Sequence, residues 1–203
     1  MSTLLVVRTS LYGAQGASSQ LAERFVADWR HRNPGGHVIE RDLSADPVPH
    51  LTAERFQAFG TPAKQRTPEQ QAVVDYSDAL IDELRAADTV VIGVPMYNFS
   101  VPSTLRAYFD HIARAGVTFR YTSNGPEGLL KGRRVYVFVT RGGVYGEGSH
   151  AQTLQLRQFL TFLGLEPEFV HAEGLGMGEE SRQRSLAAAH SQVAGLAEVG
   201  LAA

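Results

Sequence analysis

The sequence predicts a doubly wound α/β domain, with a five-stranded parallel sheet in the order 2-1-3-4-5 and helices on both faces. Three observations predict it. Short apolar runs alternate with longer segments of helical period along the whole chain, the pattern of repeated βαβ units. Three of the runs are near-continuous apolar stretches, as expected of strands buried on both faces. At 203 residues the chain is nearer one domain of ~150 residues than two, so a single domain over 1–203 is expected.

The elements follow in order. The first strand is Leu4–Val7. A helix after it places Leu21, Phe25 and Trp29 on one face and ends at Asn33-Pro34-Gly35-Gly36. The second strand is Val38–Ile39. Residues 44–66 form a long polar connection with room for one short helix. The next helix opens at Thr67-Pro68-Glu69-Gln70, where Thr67 caps, Pro68 suits the first helical position and Gln70 completes a capping box. Its expected buried stripe is Val73, Tyr76, Leu80 and Leu84. The third strand is Val90–Val94, followed by a helix from about Ser103 with Leu105, Tyr108, Phe109 and Ile112 inward. Residues 114–133 are an insertion before the fourth strand, Val135–Val139. A helix carrying Leu156, Phe159, Leu160 and Leu163, the fifth strand Phe169–Ala172 and a helix over about 180–199 complete the chain. In this strand order ligands bind beyond the carboxyl ends of the strands at the switch point.

Composition removes several function classes. The formal charge is −2, from 19 basic and 21 acidic side chains, without the basic stripe of a nucleic-acid binder or of a polybasic membrane-surface protein. Cysteine is absent, which excludes disulfides, thiol nucleophiles, iron–sulfur clusters and zinc ribbons. The seven histidines show no metal-like spacing, and no metal site is expected. His111 and His171 read as structural. Arg30-His31-Arg32 and Arg133-Arg134 read as solvated faces or turns. No segment approaches the ~20 apolar residues needed to span a bilayer. The amino terminus lacks the basic and apolar regions of a secretory signal. A cytoplasmic protein is expected.

Three loops follow strand carboxyl ends. The first, Thr9 to Ser19, is rich in hydroxyls and small residues and leads into a helix. It reads either as an anion site of backbone N–H groups at a helix N-terminus or as a loop with a serine N-cap. It matches neither the Walker A nor the G-x-G-x-x-G pattern. The second, Pro95 to Pro102, sets Asn98 among Met96, Tyr97 and Phe99. Such a segment can lie against a flat heteroaromatic ring and hydrogen-bond its edge, or its apolar side chains are core. The third, Thr140 to Gly146, carries paired glycines that allow close backbone approach, or is simply a mobile glycine loop. Converging on one crevice, the three would suit a flat cofactor with one phosphate.

The sequence resembles the bacterial FMN-dependent NADH azoreductase family, also described as quinone reductases, over essentially its full length. The resemblance is carried by Ser10 with Gly16-Ala17-Ser18, by Met96-Tyr97-Asn98-Phe99, by Thr140-Arg141-Gly142-Gly143, and by the insertion Ala113–Thr122 with Asn124–Leu129. It implies a flavodoxin-like fold, a homodimer, one FMN per subunit, NADH or NADPH as electron donor, and two-electron reduction of quinones and aromatic azo compounds. With one site used in turn by donor and acceptor, ping-pong hydride transfer through flavin N5 is expected, with no catalytic protein side chain. Ser10, Gly16, Ala17 and Ser18 would bind the FMN phosphate. Met96, Tyr97, Asn98, Phe99, Thr140, Arg141, Gly142 and Gly143 would hold the isoalloxazine, and the N–H groups of Gly142 and Gly143 would stabilise charge on its pyrimidine edge. Tyr121 and Phe162 match aromatic positions near the substrate that reach across the dimer. The chain departs from the family at Gly16-Ala17, where familiar members carry Ser-Gln, so one hydroxyl donor is lost. Two alternatives stay open. One is a flavodoxin-like electron carrier, for which strong acidity would be usual. The other is an FMN reductase acting on nitroaromatics or chromate.

Overall fold

Apolar runs that bury both faces of each strand need helices above and below them, and that is what forms. In this computed structural model residues 2–146 and 150–199 are described; Met1, 147–149 and 200–203, parts of the expected 1–203 domain, lie outside the described residues. In chain order the strands are β1 (Thr3–Arg8), β2 (His37–Asp42), β3 (Thr89–Pro95), β4 (Phe119–Thr122), β5 (Gly125–Gly128), β6 (Arg134–Thr140) and β7 (Glu166–Ala172). Five of them form one parallel sheet, β2-β1-β3-β6-β7, which is the expected order 2-1-3-4-5. Strand β3 is buried throughout, whereas edge strand β2 is nowhere fully buried. An edge strand needs only a partial apolar face, which is why the sequence offers just Val38–Ile39 there.

The helices are α1 (Ala17–Arg32), α2 (Ala53–Gly60), α3 (Pro68–Ala86), α4 (Ser103–Ile112), α5 (Ala151–Phe162) and α6 (Glu179–Val199). Alternate residues of the strands feed two cores, as the period of two requires. Leu5, Val7, Ile92 and Val137 pack against α3, α4 and α5 through Leu80, Leu105, Phe109 and Leu156. Leu4, Val6, Val91 and Phe138 pack against α1 and α6 through Leu21, Phe25, Ala189 and Val193. No helix among the described residues is long and apolar enough to cross a membrane.

The capping box of α3 is present: Thr67 Oγ1 accepts from Gln70 N at 3.3 Å, and Gln70 Oε1 accepts from Thr67 N at 3.1 Å. Its buried face is Val74, Ser77, Leu80, Ile81 and Leu84, so the expected stripe is corrected. Val73 and Tyr76 are half-buried, because the face in contact with the sheet is turned about one residue further along. The 44–66 connection contains α2 and a short 3-10 turn at Ala63–Gln65. The 114–133 insertion folds into the antiparallel hairpin β4–β5. A β-carbon on Gly128 would stand 2.0 Å from Gly164 N, so only glycine lets the hairpin backbone lie on the end of α5.

The reading of Arg133 as a solvated or turn residue is also corrected. Its guanidinium donates to the carbonyls of Leu84 at 2.7 Å and Arg85 at 2.8 Å. It thereby satisfies carbonyls that the last turn of α3 leaves without helical partners.

Candidate active site

The three loops at the carboxyl ends of β1, β3 and β6 are physically tied together. Leu11 N donates to Tyr97 Oη at 3.0 Å, joining the first loop to the second. Met96 N donates to Thr140 O at 2.8 Å, joining the second to the third. Gln152, fully buried at the start of α5, donates from Nε2 to Pro95 O at 3.2 Å and accepts from Arg141 Nε at 3.1 Å.

The first loop turns back on Ser10, whose Oγ accepts from Tyr12 N at 3.2 Å and whose carbonyl accepts from Gly13 N at 3.0 Å. The N-cap of α1 is Gly16, without a side-chain cap, and no acidic residue stands in the first turn. This corrects the serine N-cap reading. The first-turn N–H groups are therefore left for an outside acceptor. A β-carbon on Gly16 would lie 2.0 Å from Ser10 Oγ, so the Ser10 hydroxyl and the helix start share a cradle that a side chain would fill. The Ser18 and Ser19 hydroxyls are buried and have no partner among the described residues.

The second loop is a two-residue turn. Tyr97 and Ser100 exchange backbone hydrogen bonds at 3.1 and 3.0 Å, with Asn98 at φ 49° and Phe99 at φ 64°. Both central residues are left-handed, as in a type I′ turn. For phenylalanine that conformation is uncommon and is held only by its surroundings. Phe99 is 66% exposed, with its ring edge-on to Tyr145 at 6.1 Å.

The third loop hangs on a buried ion pair. Arg141 is 1% exposed. Its guanidinium donates to Glu173 Oε1 at 2.6 Å, to Gly146 O at 3.3 Å and to Thr153 Oγ1. The other oxygen of Glu173 accepts from Tyr145 N and Gly146 N at 3.3 and 3.2 Å. The carbonyls of Gly142 and Gly143 accept from Gly176 N and Gly174 N. Their own N–H groups have no partner among the described residues. Arg141 is thus a pillar of the loop, and its side chain is committed inward.

Two cavities meet over these loops and share Met96 and Tyr97. One, of about 380 Å³, is lined by residues of all three loops, among them Ser10, Gly16, Ala17, Thr140 and Gly142, and also by Leu175 and Arg182. The other, of about 770 Å³, is lined by Leu11, His50, Asn98, Arg106 and Gln155 among others. Ser18, Phe99 and Gly143 stand in the same loops but line neither. Tyr121 and Phe162 line neither as well. Tyr121 on β4 and Phe162 at the end of α5 are each packed on Phe119 of the hairpin. Within one chain, then, they are not part of the crevice. Nothing in the sequence alone places Arg182, Leu175, Gln152 and Glu173 at this crevice. Only Arg182 carries a local signal, a cation close to a helix start.

His111 and His171 are held by protein groups: His111 Nε2 lies 3.0 Å from Pro49 O, and His171 Nε2 lies 3.1 Å from Thr153 Oγ1. Among the described residues no group of three or more His, Asp or Glu could hold a metal ion. A third cavity, about 560 Å³ beside β2, is lined by Arg8, Glu23 and Glu40. Arg8 is already paired there with both carboxylates, at 2.8 and 2.6 Å.

A family profile for the flavodoxin-like fold matches residues 2–196. The chain is 56% identical, over 90% of its length and 92% of the relative's, to an FMN-dependent NADH:quinone oxidoreductase of Cellvibrio japonicus. It is 50% identical, over 96% of its length and 99% of the relative's, to FMN-dependent NADH:quinone oxidoreductase 6 of Burkholderia lata. Among solved structures it is similar to an azoreductase from Bacillus anthracis, with TM-score 0.88 and 29% identity over 97% of this chain and 99% of that one. It is also similar to an FMN-dependent NADH-azoreductase from Bacillus anthracis solved in complex with FMN. There the TM-score is 0.85, with 26% identity over 97% of this chain and 100% of that one.

Proposed function

Because this chain belongs to the flavodoxin-like family of FMN-dependent NADH:quinone oxidoreductases, we propose that it uses FMN to pass two electrons from NADH or NADPH to quinones and, by reductive cleavage to amines, to aromatic azo compounds. The observation that carries the reading is the cavity lined at once by Ser10, Gly16 and Ala17, by Met96 and Tyr97, and by Thr140, Arg141 and Gly142. The residues suit FMN. The uncapped start of α1, beside the Ser10 hydroxyl, supplies N–H donors for a phosphate. Gly142 and Gly143 have unused N–H groups for the polar edge of a ring system, and the Met96 to Phe99 turn supplies flat and thioether surface.

FMN held by these loops would supply hydride acceptance and donation, and a ping-pong cycle is the expected order. The chain's own part is to bind and orient. Ser10 and the N–H groups of Ala17 and Ser18 fix the phosphate end. Tyr97 holds the first loop to the second through Leu11 N. Arg141, with Gln152 and Glu173, keeps the third loop rigid, so that the Gly142 and Gly143 N–H groups can stabilise negative charge without reorganising. The exposed Leu11, Tyr12 and Phe99 would exclude water from the face where the donor and then the acceptor lie. No side chain is assigned as a general acid. The reading includes a cytoplasmic homodimer in which Tyr121 and Phe162 of one subunit contact substrate in the other.

Steady-state oxidation of NADH with a quinone, using purified flavin-loaded protein alone, tests the activity. Turnover with parallel double-reciprocal plots is expected. Turnover only when a partner protein is added would instead favour an electron carrier. A preference for nitroaromatics or chromate over every quinone tried would make it an FMN reductase of another kind.

A further inference from the structure

We propose that Arg182, near the start of α6, pairs with the phosphate of the bound flavin and is a specificity-determining residue for the phosphorylated cofactor. The inference rests on the flavin reading above and deepens it. Helix α6 lies beside α1 on one face of the sheet, with Ala189 and Val193 packed among Leu21, Ala22 and Phe25. That packing brings the starts of the two helices together. Arg182 accordingly lines the same cavity as Ser10, Gly16 and Ala17.

The position of Arg182 suits it to meet an anion in that cavity. Its guanidinium has no hydrogen-bond or ion-pair partner among the described residues. The acidic side chains of the α6 start and of the segment before it face other groups. Glu179 accepts from Gln183 at 2.8 Å, Glu180 faces Arg184 at 3.5 Å, and Glu173 holds Arg141 at 2.6 Å. Arg182 also stands three residues after Glu179, where α6 begins. Glu179 and Glu180 in the same first turn already complement the helix dipole, so Arg182 is singled out by its place in the cavity.

The phosphate end of the cavity meanwhile lacks a positive side chain of its own. Gly16 and Ala17 bring no side-chain donor, and the first turn of α1 offers only N–H groups and serines. A phosphate monoester carries close to two negative charges at neutral pH. Backbone donors leave most of that charge unneutralised, and a guanidinium fork across the cavity would meet it with charge-assisted hydrogen bonds.

The test compares FMN with riboflavin, which has the ring and ribityl chain but no phosphate. Flavin-stripped wild-type, Arg182→Ala, Arg182→Gln and Arg182→Lys proteins are titrated with each, following flavin fluorescence. Wild type should bind FMN more tightly than riboflavin. Arg182→Ala and Arg182→Gln should each weaken FMN about tenfold or more and leave riboflavin unchanged. Arg182→Lys should keep part of the preference and show a similar salt dependence. Circular dichroism identifies a misfolded variant, and either neutral substitution suffices. FMN affinity within twofold of wild type in a folded neutral variant overturns the proposal while leaving the flavin reading intact. So does an equal loss for FMN and riboflavin. A wild-type chain that takes up neither flavin overturns the flavin reading itself.

Discussion

A single β-carbon decides whether the start of α1 can receive an anion. At Gly16 it would lie 2.0 Å from Ser10 Oγ, so any side chain there must push the Ser10 hydroxyl out of the cradle. Gly16→Val is therefore expected to purify with under a tenth of the wild-type flavin-to-protein ratio, read from absorbance, while its far-ultraviolet spectrum stays native. Full flavin content would place the phosphate elsewhere. His111 carries a different consequence. Burial pushes its pKa below the ordinary histidine value; the Pro49 carbonyl and Asp110 oppose the shift, and the Arg55 and Arg114 cations reinforce it. Its Nδ1 is buried without a partner. The folded state thus resists protonation more than the unfolded chain does. This contribution to stability is complete above about pH 6.5 and is lost as pH falls from there toward the depressed folded pKa. The melting temperature should drop between about pH 6.5 and pH 5, and the drop should be smaller in His111→Gln. Equal slopes for the two proteins would remove His111 as its source.

The third loop owes its shape to a carboxylate 32 residues further along the chain. The Arg141–Glu173 pair has side chains 0% and 12% exposed, so removing one partner strands a buried charge. Glu173→Ala is expected to cost about 3 kcal/mol in denaturant unfolding, with protease nicking shifted into the 140–146 loop. A cost below about 1 kcal/mol would mean that the pair behaves like a surface one. That link was invisible in the sequence, because nothing local to Thr140-Arg141-Gly142-Gly143 announces an acid at position 173. The order of the sheet followed from the βαβ alternation of the five apolar runs. Elements whose causes are local were legible: the Thr67–Gln70 capping box and those runs. The β4–β5 hairpin was not. Its strands are four residues each, too short for alternation to register, and its seat depends on Gly128 meeting the end of α5. Arg133 was misread for the same reason: its acceptors are carbonyls about 48 residues earlier. At the crevice the three loops could be listed from sequence, but their mutual hydrogen bonds, and the arrival of Arg182 from α6, follow only from how the helices pack.

Around the crevice the molecule leaves a group of large apolar side chains in solvent: Leu11 at 67%, Tyr12 at 75%, Phe99 at 66%, Val144 at 66% and Met177 at 62% exposed. Scattered singly such residues need no explanation, but gathered about one mouth they mark a contact surface. Tyr121, 76% exposed on its hairpin, lines neither crevice cavity of its own chain, so a substrate role for it requires a second copy whose hairpin reaches that mouth. Sedimentation of the flavin-loaded protein should accordingly give twice the chain mass at micromolar concentration. Tyr121→Asp should weaken that dimer or raise the quinone KM several-fold, while the flavin-to-protein ratio stays at the wild-type value, since FMN would be held by loops of a single chain. Loss of flavin in Tyr121→Asp would instead place the hairpin against the cofactor. A monomer with full quinone reductase activity would mean that each chain completes its own substrate site, and that the exposed apolar mouth serves substrate alone.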